Sequence, residues 1–205
     1  MIVFRAVVEV PWTPLEARPP WPVTDMPLGS WLTLGPDCRD GDFGLFLAIL
    51  AAPLDIAPSA APAEIAAALL AEECLLIPGG IQVHDDSAGQ SISPGCCSGL
   101  EDWRDWKSLL QGNEPWLGHD PTPEFAFLAG HFRLWQDGGA ARATSSCVDI
   151  PRADLTAHLA AVHNDLAAFR DAFSTWSHRH VPPGFAADLA TAIGTVLAVP
   201  RSSSS

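Results

Sequence analysis

The chain opens on an alternating pattern. Ile2 to Val10, IVFRAVVEV, is rich in β-branched residues and sets Arg5 and Glu9 at polar positions, which predicts a strand. Residues 11–44 are rich in Pro, Gly and Asp, with Trp12, Trp21 and Trp31 spaced through them, and read as a long irregular segment wrapped on the core. Leu45 to Leu50 is an apolar run too short for periodicity to choose between strand and helix. Pro62 and Glu64 open a helix to about Glu73, with Ile65, Leu69 and Leu70 on its buried side. Short strands are expected at 74–77 and 81–84, followed by a turn at 85–89 and a return through 91–93.

In residues 99–111, Leu100, Trp103, Trp106 and Leu110 recur at three- and four-residue intervals, which predicts an amphipathic α-helix. Ser98 and Glu101 have the spacing of a capping box, and Gly112 follows as a left-handed cap. A hairpin about Ala129-Gly130 joins 125–128 to 132–135, and 146–150 adds a third strand. From Pro151, a stripe of Leu155, Leu159, Val162, Leu166, Phe169, Phe173 and Trp176 predicts one long helix, facing either the sheet or a second copy of the chain. Pro182-Pro183-Gly184 ends it, 185–197 is a further helix, and 201–205 a disordered tail. The expected fold is α+β: one domain over 1–200, with an antiparallel sheet of about five to seven strands covered by the central helix and two C-terminal helices.

Charge narrows the classes. Ten arginines and one lysine stand against 24 acids, for a net charge of −13, which excludes a nucleic-acid surface and suits a basic partner. No apolar run is long enough to span a bilayer, and the first ten residues lack a signal-peptide layout, so a cytoplasmic location is expected. Five cysteines without framework spacing (Cys38, Cys74, Cys96, Cys97 and Cys147) read as reduced thiols.

Candidate chemistry concentrates in 94–121, where two adjacent cysteines, three tryptophans and a His-Asp pair fall within 28 residues. Cys97 at a helix start would have its thiolate favoured by the helix dipole, with His84 or His119 as base and Asp120 orienting it. Cys96, Cys97, His119 and His84 offer zinc ligand types, but adjacent cysteines are poor chelators of one ion and no C-x-x-C or H-x-x-x-H spacing is present. A vicinal disulfide at Cys96-Cys97 and a plain structural turn complete the readings. No metal and no cofactor are expected. His178-Arg179-His180 complements the dipole at the end of the long helix. Trp103 and Trp106 are expected in the core, and Trp116, in the loop before His119-Asp120, on a binding surface.

The stretches PGCCSGLEDWRDW, PWLGHDPTP and RLWQDGG, within residues 76–140, resemble a group of uncharacterised proteins of high-GC bacteria. In class properties (small, acidic, cytoplasmic, α+β) the chain is similar to immunity proteins of bacterial toxin systems. That likeness implies a non-catalytic module that binds a protein partner such as a basic toxin. The binding residues would be Trp116, His119, Asp120, His84, Cys96 and Cys97. The competing expectation is a small-molecule-binding protein or enzyme with its site at Cys96, Cys97 and His119.

Overall fold

The structure, a computed structural model, describes residues 1–14, 19–54, 56–57 and 60–200. The expected tail at 201–205 lies outside them. The fold is α+β, with seven strands, four α-helices and two 3-10 helices among the described residues. The chain divides into two compact units, Met1–Val7 with Pro78–Asn164 and Val8–Ile77 with Asp165–Ser205, and passes between them within the first strand, at Ile77–Pro78 and within the long helix.

The unit that carries the candidate chemistry contains most of β1 (Ile2–Glu9), then β3 (Gly79–Asp85), β4 (Gln90–Ile92), the 3-10 helix η1 (Leu100–Gln111), β5 (Glu124–Leu128), β6 (His131–Trp135), η2 (Gly139–Ala143) and β7 (Cys147–Pro151). β3 and β4 pair antiparallel with Val83 opposite Ile92, and β5, β6 and β7 form the expected meander, with Phe127 opposite Phe132 and Leu134 opposite Val148. With β2 (Trp31–Thr33), the strands form two antiparallel sheets, ordered β2-β1-β3-β4 and β5-β6-β7, instead of the single sheet expected. One local cause is legible at Ser93: its N–H donates to Gln136 Oε1 (2.7 Å) and its carbonyl accepts from Gln136 Nε2 (2.9 Å). A side-chain amide thus takes both backbone bonds that a neighbouring strand would have used, and Pro94 has no N–H to continue the ladder. The short strand expected at 74–77 is not formed, and β3 begins instead at Gly79.

The other unit holds β2 (Trp31–Thr33), α1 (Asp40–Ala51), α2 (Pro62–Ala71), α4 (Pro183–Val196) and the C-terminal part of α3 (Leu155–His180). The ambiguous run 45–50 is helical, and the supposed irregular segment 11–44 contains β2 and the start of α1. Every residue of the long-helix stripe is buried. In this unit the stripe meets other helices and a loop tryptophan: Phe169 packs on Phe43 and Phe46 of α1, and Trp176 on Trp21. Trp21 also donates its indole N–H to the Gly44 carbonyl (3.1 Å), so it pins the loop, whereas Trp12 stays largely exposed.

Candidate functional site

The central helix differs from the expectation in kind. Leu100–Gln111 is a 3-10 helix of 12 residues, although such runs are usually three or four residues long. Its buried residues are Leu100, Trp103, Trp106 and Leu109, a strict three-residue repeat. At three residues per turn this repeat forms a single row, whereas an α-helix would rotate it away from the core. Leu110, assigned to the stripe for an α-period, is 37% exposed, while Leu109 is fully buried. Trp106 anchors the row between Phe4 (5.1 Å) and Phe125 (5.5 Å), edge to face in both contacts. Gly112, at φ 85°, closes the helix as expected.

The helix does not take Ser98 as its N-cap. The N-cap is Gly99, without a side-chain cap bond. The carbonyl of Ser98 accepts the Gly79 N–H (3.0 Å), and Gly99, in extended backbone, bridges Pro78. Cys97 therefore stands three residues ahead of the first helical residue, so the dipole argument for its thiolate does not carry over.

Two loops meet where the sequence placed its chemistry. Cys96 and His119 form an antiparallel bridge, with Cys96 N–H to His119 O at 2.6 Å and His119 N–H to Cys96 O at 3.0 Å, beside Gly95 N–H to Leu117 O at 2.8 Å. Glycines make this approach possible. A Cβ at Gly118 (φ 90°) would lie 2.5 Å from the Cys96 carbonyl oxygen, and one at Gly95 would lie 2.8 Å from the His119 backbone nitrogen. The sequence offered a signal for this contact, a glycine directly before each functional pair, in GCC and in GHD.

The bridge sets the side chains. In extended backbone, consecutive residues point to opposite faces. Cys97 has φ 62°, in the left-handed region, and the alternation is broken there, so the two sulfurs lie 3.4 Å apart. Cys96 Sγ, Cys97 Sγ and one imidazole nitrogen of His119 all fall within 4.8 Å of one another, and all three residues are exposed. His119 Nδ1 stands 3.2 Å from Asp120 Oδ2. Trp116 donates its indole N–H to the Cys97 carbonyl (3.2 Å), with its ring centroid 6.5 Å from that of His119. Five of the six predicted site residues thus share one patch. His84 does not join the cysteine-histidine group: it lies on β3 opposite Ser91, its Nε2 3.3 Å from Asp86 Oδ1.

The basic cluster at the end of α3 has a specific partner. Arg179 bonds Asp40 (2.8 Å), the first residue of α1, and His180 lies 3.7 Å from the same carboxylate. The Arg179 hydrogen bond holds the Asp40 carboxyl below its ordinary range. No helix among the described residues is long and apolar enough to cross a membrane. Comparison with family models, with curated proteins and with solved structures finds no match to this chain.

Proposed function

We propose that this chain is a non-catalytic protein-binding module, acting as immunity proteins of toxin systems do, with Trp116 at the centre of its binding surface. One observation carries the reading: Trp116 is 60% exposed yet held in place by its bond to the Cys97 carbonyl. An exposed indole fixed before binding loses little conformational entropy on docking and offers a large contact area, which is how aromatic hot spots work. The chain's net charge of −13 would speed encounter with a basic partner and make the association rate fall with salt.

The test uses the protein encoded immediately upstream, purified and mixed with this chain. The expected result is a complex that co-elutes and inhibits that protein's activity. Trp116→Ala should weaken it by roughly thirtyfold, as loss of a hot spot does, while the variant's melting temperature stays that of the parent. Unchanged affinity in the variant would remove Trp116 from the surface, and absence of any complex would remove that partner.

A second reading is favoured by the gathering of Cys96, Cys97 and His119 within 4.8 Å: a small-molecule-binding or catalytic thiol site. Iodoacetamide at neutral pH should then modify Cys96 or Cys97 well ahead of exposed Cys74. Equal rates would dismiss a reactive thiol.

A further inference from the structure

We propose that Cys96, Cys97 and His119 form an open-sided site for a thiophilic divalent cation, Zn²⁺ foremost, independent of any protein partner. The donor set is the first reason. Two thiolates and an imidazole are the ligand types that zinc takes in tetrahedral sites, and three protein ligands with a fourth position left to water is the open form.

Geometry is the second reason. Two thiolates each about 2.3 Å from a tetrahedral zinc stand about 3.8 Å apart, and the two sulfurs here are separated by 3.4 Å. A thiolate and an imidazole on the same ion stand about 3.5 Å apart, and the ligand atoms here lie within 4.8 Å before any side chain has turned. The ordinary objection to adjacent cysteines, that they point apart, is removed by the left-handed backbone of Cys97.

The third reason is the support behind the ligands. Cys96 and His119 are tied to each other through two backbone hydrogen bonds, so two of the three ligands are held at a fixed separation by the main chain. The Asp120 carboxylate sits 3.2 Å from His119 Nδ1, the arrangement in which a carboxylate fixes the imidazole tautomer and leaves Nε2 to donate to a metal. All three ligand residues are exposed, so the ion would exchange readily and keep a site for an incoming ligand. Binding would release the thiol protons, so affinity should rise with pH.

The experiment uses the tag-free full chain, reduced with a phosphine, desalted without oxygen and titrated with Co²⁺. The expected result is a thiolate-to-cobalt charge-transfer absorption that saturates at one equivalent and is abolished by one equivalent of Zn²⁺. Cys96→Ser and Cys97→Ser should each abolish the band, His119→Ala should weaken binding at least tenfold, and Asp120→Asn about tenfold. His84→Ala should leave it unchanged. A second measurement needs no variant: Zn²⁺ should slow alkylation of Cys96 and Cys97 together while leaving Cys74 unaffected, as read by peptide mass. A titration without the charge-transfer band, or a band that survives both cysteine substitutions, would overturn the proposal. So would zinc that protects neither cysteine.

Discussion

The Cys38 thiol donates to the Thr33 carbonyl (3.3 Å), and burial pushes its pKa up to about 11. Near neutral pH it stays protonated and inert. Alkylation at pH 8, followed by peptide mass, should therefore leave Cys38 the slowest of the five cysteines while the exposed Cys96 and Cys97 react. Fast labelling of Cys38 would mean that its pocket opens. Gly118 makes the complementary point about backbone. With φ 90° and the Cys96 carbonyl against it, any side chain there is strained and also collides. Gly118→Ala should cost upward of about 1 kcal/mol and break the Cys96–His119 bridge, seen as loss of slow amide exchange at both residues. A variant with normal stability and exchange would show that the loops do not need this contact.

At the scale of the element, the row of Leu100, Trp103, Trp106 and Leu109 commits η1 to a 3-10 winding. Leu109→Ala should destabilise by about 2–5 kcal/mol, and Trp106→Ala by about 3–5, because each empties a packed site. Leu110→Ala should change stability by less than about 1 kcal/mol, since its side chain already meets solvent. Urea unfolding of the three variants decides the matter. An α-winding would reverse the order of the two leucines. The periodicity was legible in the sequence, because both rows share Leu100, Trp103 and Trp106. What separated them was a single residue, Leu109 buried in place of Leu110.

At the scale of the molecule, pH acts on several groups at once. Asp40, Asp85, Glu124 and Asp149 are all held below the ordinary carboxylate range, by Arg179, Ser87, the Gly139 N–H with Arg142, and Arg133 respectively. Their contribution is present above about pH 4 and lost as pH falls through the folded values. His158, stacked on Phe4 at 4.7 Å, has its pKa lowered by burial, so stability begins to fall once pH drops below about 6.5. Asp165 carries the opposite sign. Burial and Asp37 raise its pKa, so its ionised form costs stability at neutral pH, and that cost disappears below the ordinary carboxylate value. Thermal melts from pH 4 to 8 should show Asp165→Asn more stable than the parent at pH 7 and equal to it near pH 4. His158→Leu should flatten the decline between pH 7 and 5. A parallel pH profile for either variant would contradict the assigned sign.

The sequence by itself determined the elements whose cause is local. The Leu155 to Trp176 stripe, the Ala129-Gly130 hairpin and the Gly112 cap follow from periodicity, turn chemistry and backbone freedom, and all three are present. It also drew attention to the patch, because Cys96, Cys97, Trp116, His119 and Asp120 fall within 28 residues. Tertiary structure decided what those residues can reach. Which backbone pairs with Cys96 depends on contacts between residues about 20 or more positions apart, and neither the left-handed turn of Cys97 that brings the two sulfurs together nor the place of His84 away from them follows from the local pattern. The same holds for the N-cap, which falls on Gly99 and not on Ser98. Ser98 has the right local chemistry, but its carbonyl is taken by the Gly79 N–H and the helix starts after Gly99, and no local pattern contains that pairing.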